Sequence, residues 1–167
     1  EAERVAAAKA EQEQRLARVR KRFEDAVSYY RAGGYQSALE RLEGLLESWG
    51  RTAEVLNLVG LCHLHLQDYA AALAVLEEGH GSNPENGDIL LNLARAHFEG
   101  GCGPARGALE KLVKLQPEHA GAWYNLGVLK LANSDFKGAR KAWARVLDIN
   151  PDDKDARANV EMLKRRE

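Results

Sequence analysis

Pro84, Pro117 and Pro151 stand 33 and 34 residues apart in a chain of 167 residues that has only one other proline. Small residues keep the same beat. Ala38, Ala72, Ala105 and Ala139 recur at 34, 33 and 34, and Ala26, Gly60, Ala94 and Gly127 at 34, 34 and 33. A fixed period of this length marks an array in which each repeat is one supersecondary unit. Between the anchors the residues follow the 3.6 period of helices, with Leu56, Val59, Gly60 and His63 on one stripe and Tyr69, Ala72, Leu76 and Gly79 on the next. Each unit is thus two helices and a turn. The small residues let the two helices approach, and larger apolar side chains fill the space around the crossing. One such pair cannot bury its own apolar face, so neighbours must stack to share a core.

The last unit, AWYNLGVLKLANSDFKGARKAWARVLDINP, places Trp123, Leu126, Gly127, Phe136, Ala139, Trp143, Val146 and Pro151 at telling positions. It resembles a tetratricopeptide repeat, W-x2-L-G-x2-Y, then A-x3-F, then P, with Lys130 in place of the tyrosine and Trp143 in place of the phenylalanine. Residues 53–86 keep Gly60, Tyr69, Ala72, Leu76 and Pro84, and residues 87–119 keep Leu93, Ala94, Ala105, Leu109 and Pro117. Residues 19–52 keep Ala26, Tyr29, Tyr35, Ala38 and Leu42, with Gly50 where the proline would stand. The resemblance covers about 19–153. It implies an all-α, right-handed solenoid of four helix pairs (about 19–52, 53–86, 87–119 and 120–153) plus a C-terminal capping helix over 154–167. That last segment shows Ala156, Val160 and Leu163 on one face and charge elsewhere. Ahead of the repeats, residues 1–18 are rich in helix formers but poor in large apolar residues, which predicts a helical extension into solvent.

Charge gives no overall pull toward nucleic acid or membrane, since 24 Lys and Arg face 25 Asp and Glu. No apolar run approaches the roughly 20 residues of a membrane span, and the amino end lacks the apolar core of a signal peptide. Two cysteines suit a reducing compartment. These features predict a cytoplasmic protein, or a periplasmic one if a leader or anchor has been removed. The chain begins at Glu1 rather than Met, as a mature or excised product would. Its richness in Ala, Arg, Leu and Gly suggests a bacterial source.

Candidate chemistry is sparse. The stretch EGGCGPARG, residues 99–107, falls one glycine short of a dinucleotide-binding fingerprint, and helix rather than strand precedes it. Cys62 and His65 share a helical face, but two ligands do not make a metal site. Asp152, Asp153 and Asp155 sit where helix capping favours acids. No hydroxyl lies in a nucleophile motif. The basic run Arg15, Arg18, Arg20, Lys21 and Arg22, without interleaved aromatics, fits a solvated helix face better than a nucleic-acid site. The sequence predicts no enzyme, no cofactor and no metal, with a metal-dependent enzyme using the Cys62 and His65 region as the remote alternative.

The resemblance instead points to a groove, because in tetratricopeptide domains the first helix of each pair lines the concave face. Carried over by position, it implies a peptide- or partner-binding surface of Phe23, Val27, Tyr30, Asn57, Leu61, Leu64 and His65. It continues through Leu91, Asn92, Arg95 and Phe98 to Tyr124, Asn125, Val128 and Leu131. Such a surface suits an amphipathic helix or extended peptide with apolar anchors. Asn57, Asn92 and Asn125 would bond a peptide backbone, and Arg95 an acidic group. A clamp of lysines and asparagines for an acidic chaperone tail is not expected, since Phe23, Val27 and Leu61 occupy that surface. The function predicted is a protein-interaction scaffold. The alternative is a homodimeric assembly adaptor or secretion- or pilus-type chaperone working through the amino-terminal helix.

Register also explains EGGCGPARG. The other units turn through AGGY, LQDY and NSDF, each ending in an aromatic, where this unit has Cys102 and one residue fewer. Gly101 and Gly103 permit positive φ, and Pro104 suits the start of the following helix. Seven of the 15 glycines fall between residues 79 and 107, which predicts the least protected part of the array.

Overall fold

The repeat period resolves into helix pairs. A computed structural model describes residues 1–101 and 105–165, and these form nine α-helices and no strand. The pairs are α1 (Ala2–Arg31) with α2 (Tyr35–Ser48), α3 (Ala53–His65) with α4 (Tyr69–Ser82), α5 (Gly87–Glu99) with α6 (Ala105–Leu115), and α7 (Ala120–Ala132) with α8 (Phe136–Ile149). A single helix follows, α9 (Lys154–Lys164). The chain divides into two compact units, Glu1–Ser82 and Asn83–Glu167.

Local chemistry sets the starts of α3, α5 and α7 at the same repeat register. The first helices of the later pairs and α9 are capped by Thr52, Asn86, His119 and Asp153, whose side chains accept from the backbone N–H three residues on at 2.8–3.4 Å. Each cap satisfies a donor that the helix start would leave unpaired. The turns inside the pairs use Gly33, Gln67, Gly101 and Ser134 at φ of +82°, +62°, +63° and +61°. At three of these turns the next N–H reaches back across the helix end, Gly34 to Tyr29 O, Asp68 to His63 O and Asp135 to Lys130 O, at 2.8–2.9 Å. This is the Schellman arrangement, and it holds Gln67 and Ser134 in a left-handed conformation that side chains otherwise resist. Asp68 and Asp135 then cap the second helices, accepting from Ala71 and Gly138 N–H at 3.1 and 2.9 Å. Between the left-handed residue and the anchoring alanine the other turns have four residues and the third has three. Those three, Cys102, Gly103 and Pro104, lie outside the described residues.

Packing within each pair runs through the small residues. A Cβ added at Gly60 would stand 2.5 Å from Leu76 Cγ, and one at Gly127 would stand 2.5 Å from Trp143 Nε1. Ala26 and Leu42 share the core of the first unit, and Ala94 and Leu109 share a cluster in the second. The anchoring Ala38, Ala72 and Ala139 are fully buried, and Ala105 nearly so.

In the first unit Val19 and Ala26 of α1 pack with Leu42 and Leu45 of α2 and with Val55, Val59 and Cys62 of α3. In the second, Ala156, Val160 and Leu163 of α9 close over Ala139, Trp143 and Val146 of α8. The predicted capping face is therefore the buried face of α9.

Two ion pairs occupy one repeat position with opposite polarity. Arg51, ahead of α3, bonds Glu78 of α4; Glu118, ahead of α7, bonds Arg145 of α8. The α1 helix is exceptional in length, about 45 Å at 1.5 Å per residue. Its residues 1–18 are all exposed, and Arg15 donates to Ser48 O at 3.3 Å, at the end of α2.

Candidate functional site

The clearest concave feature lies in the second unit. Ala94, Arg95, Phe98 and Glu99 of α5, Ala105 and Leu109 of α6, and Asn125, Val128 and Leu129 of α7 line a cavity of about 230 Å³. Small residues make the room, because Ala94 and Ala105 stand where helix must approach helix and leave no bulk behind. Phe98 remains 47% exposed, a large apolar side chain presented to solvent beside this space. Arg95 Nε donates to Glu99 Oε1 at 2.8 Å, one helical turn on, so the one charged pair in the lining is internally satisfied. The lining offers apolar surface, an amide and this ion pair. Among the described residues the lining has no Ser, Thr, Cys or His, and its one carboxylate is engaged by Arg95.

Four of the residues expected from the sequence, Arg95, Phe98, Asn125 and Val128, converge on this cavity. Tyr124 and Asn125 also border a shallower recess of about 260 Å³ with Ala120, Gly121, Asp153 and Asp155. Tyr124 is fixed there by two polar contacts: its hydroxyl accepts from Asn159 Nδ2 at 3.3 Å, and its carbonyl from Trp143 Nε1 at 3.2 Å. Val128 and Leu131 pack partly against the cluster that α9 closes, and Leu91 against the cluster around Leu109 and Leu112. Asn92 is only 8% exposed and stands behind the surface. A wider recess of about 330 Å³ between Trp123, Lys130 and Arg145 holds none of the expected residues.

In the first unit the expected residues form a separate aromatic group. The Tyr30 hydroxyl lies 3.0 Å from His65 Nε2, and Tyr35 stacks on His65 with centroids 4.5 Å apart and planes 10° from parallel. Phe23 meets Trp49 edge to face at 5.6 Å. Phe23, Val27 and Tyr30 are half-buried against the core, and Asn57 and Leu61 are half-buried on α3. Leu64, at 1% exposed, belongs to the interior and supports the face without reaching it.

The other candidates sort by burial. Cys62 is a fully buried free thiol, and burial pushes its pKa up to about 11, so it does not ionise near neutrality. His65 is exposed and faces Tyr30, so the two residues of that pairing occupy different surroundings. Among the described residues no three His, Cys, Asp or Glu side chains are grouped to hold a metal ion. No described helix is long and apolar enough to cross a membrane. Asp153 caps α9 as its position implied.

Sequence reasoning missed the inner wall of the cavity. Leu109 was legible as a repeat anchor but not as a lining residue, and Glu99 was overlooked although it stands one turn after Arg95 on the same face. Trp49 and Tyr35 were missed as ring partners because each lies on or beside the second helix of its pair.

Comparison with known proteins agrees with this geometry. The sequence matches the tetratricopeptide repeat family over residues 23–80 and 104–157, and a second tetratricopeptide repeat profile over 63–101. No curated protein matches it. Among solved structures, MamA of Desulfovibrio magneticus RS-1 superposes with a TM-score of 0.78 at 19% identity, covering 89% of this chain and 84% of that one. The first TPR of Spaghetti (RPAP3), bound to the HSP90 peptide SRMEEVD, gives 0.65 at 23% identity over 68% of this chain and 91% of that one. A tetratricopeptide repeat protein from Parabacteroides merdae gives 0.74 at 21%, over 87% and 59%. With the profile match spanning most of its length and its caps, turns and small-residue contacts falling in one register, the chain belongs to the tetratricopeptide repeat family, an all-α array of four helix pairs and a capping helix.

Proposed function

We propose that the chain is a non-catalytic protein-interaction scaffold whose repeat region, residues 19–153, receives a peptide or partner segment on the face of its first helices. The observation that carries this reading is the convergence of Arg95, Phe98, Asn125 and Val128 on one apolar cavity. A dry cavity of about 150 Å³ admits a benzene ring, so about 230 Å³ accommodates one bulky apolar side chain of a ligand. Asn125 supplies donors and an acceptor for the ligand backbone at the same place. In the first unit, Phe23, Val27, Tyr30, Asn57, Leu61 and His65 are the corresponding candidates.

The related RPAP3 domain is bound to an acidic HSP90 peptide. The present chain offers Phe23, Val27 and Leu61 where a clamp for an acidic tail would present lysine and asparagine, which favours an apolar anchor. The test is a pull-down with the intact chain beside a Leu61→Asp, Arg95→Glu double variant, both checked for native helicity by circular dichroism. Loss of the partner from the variant supports the assignment; equal recovery of the same partner overturns it.

A further inference from the structure

The first eighteen residues of α1 carry a stripe without a neighbour. At 100° per residue, Val5, Ala8, Gln12, Leu16, Val19, Phe23, Ala26 and Tyr30 fall on one side of the helix. The lower part of this stripe is used: Val19 and Ala26 are buried, and Phe23 and Tyr30 pack against the core of the first unit. The upper part is not, and Val5 is 65% and Leu16 45% exposed. The reason is length. Arg15 meets Ser48 O at the end of α2, so α1 continues past the point where its antiparallel neighbour stops.

Charge along this overhang is divided. Residues 1–13 carry four carboxylates, Glu1, Glu3, Glu11 and Glu13, against Arg4 and Lys9. Residues 15–22 carry five bases and no acid. A helix that is acidic toward one end and basic toward the other complements itself when a second copy runs antiparallel. Two parallel copies would set base against base.

We infer that this overhang is a self-association arm, and that two copies of the chain pair antiparallel along the exposed stripe. Val5 of each copy lies against Leu16 of the other, about three turns away along the arm. In that register Lys9 stands beside Glu13 of the second copy on one flank of the stripe, and Glu1 beside Arg20. The buried apolar surface is small and the flanking pairs are exposed, so the dimer is a weak one and loosens with salt. This pairing is independent of the peptide-binding reading of the repeats.

Sedimentation equilibrium of the whole chain from about 10 to about 500 µM tests it, a range in which a micromolar dimer is resolved. The expected result is a reversible monomer–dimer equilibrium that weakens at least about tenfold in Val5→Glu, a change worth about 1.4 kcal/mol. Glu13→Lys weakens it less, and adding Lys9→Glu to that variant restores it, because each copy then presents the reversed pair to the other. Orientation is read in a Cys102→Ser background, where Val5→Cys together with Leu16→Cys crosslinks two copies and Val5→Cys alone does not. A monomer throughout the range overturns the inference. So does a dimer indifferent to Val5→Glu, or one crosslinked through Val5→Cys alone.

Discussion

The pairs α5/α6 and α7/α8 place the same repeat positions in opposite states. In α7/α8 the crossing is Gly127 against Trp143, so close that a Cβ on the glycine would collide with the indole. In α5/α6 the corresponding residues are Ala94 and Leu109, and beside them lies a cavity of about 230 Å³. The tryptophan is also tied by its N–H to Tyr124 O, a bond that leucine cannot make. One register position can therefore be a plug or the wall of a pocket, according to the bulk placed there.

The largest expected effect comes from removing the plug. Trp143 is 1% exposed, so Trp143→Ala destabilises the second unit by about 3–5 kcal/mol in urea unfolding. Leu109→Ala, at the position already beside open space, costs about 2–3 kcal/mol, and a reversed order would break the comparison. Next comes Gly127→Ala, which crowds the indole and costs about 1–3 kcal/mol. Ala94→Gly in the looser pair costs about 1 kcal/mol by helix propensity alone.

Leu109→Trp sharpens the contrast from the other side. It grows into the cavity, changes stability by less than about 1.5 kcal/mol and abolishes capture of a partner that anchors there. The same enlargement at Leu76, packed onto Gly60, costs more. Hydrogen exchange gives a smaller signal: amides of residues 79–101 exchange faster than those of 120–150, and equal protection counts against a looser third pair.

Smallest is a pH effect in α7/α8. The Gly138 N–H, and after it the Lys130 ammonium at 3.0 Å, hold the Asp135 carboxyl below its ordinary value of 3.8. A carboxyl lowered on folding stabilises the folded state above the unfolded value and loses that contribution as pH falls through the folded one. Acid titration followed at the Gly138 amide should show a transition below 3.8 that Asp135→Asn removes. The sequence of the third turn, residues 100–104, has neither aspartate nor aromatic, so the matching titration is not expected for α5/α6.

Much of the fold was legible because it rests on residues with strict local demands. Gly60 and Gly127 are where helices touch, Asp153 is where a helix start needs an acceptor, and Ala38, Ala72, Ala105 and Ala139 are where bulk is excluded. The left-handed turn residues were half legible. Gly33 and Gly101 carry the signal in their chemistry, whereas Gln67 and Ser134 are held by backbone bonds that no side chain announces. The site was legible as a list of first-helix positions, but not which of them share a space. The cavity depends on what α6 fails to fill, and an absence of volume leaves no residue to read. Leu64 and Asn92 stand behind the surface because a position one residue off the stripe turns about 100° toward the core.

The reversed ion pairs bear on assembly rather than on stability. Arg51 and Glu78 in one unit, and Glu118 and Arg145 in the other, hold equivalent places with exchanged signs. Helix pairs built on one repeat plan invite a folding chain, or two chains, to match the wrong halves. If the second helix of one pair docked on the first of the other, Arg51 would meet Arg145 and Glu118 would meet Glu78. The exchanged signs set like charge against like in such a mismatch, so they count against wrong docking even though each exposed pair adds little to stability.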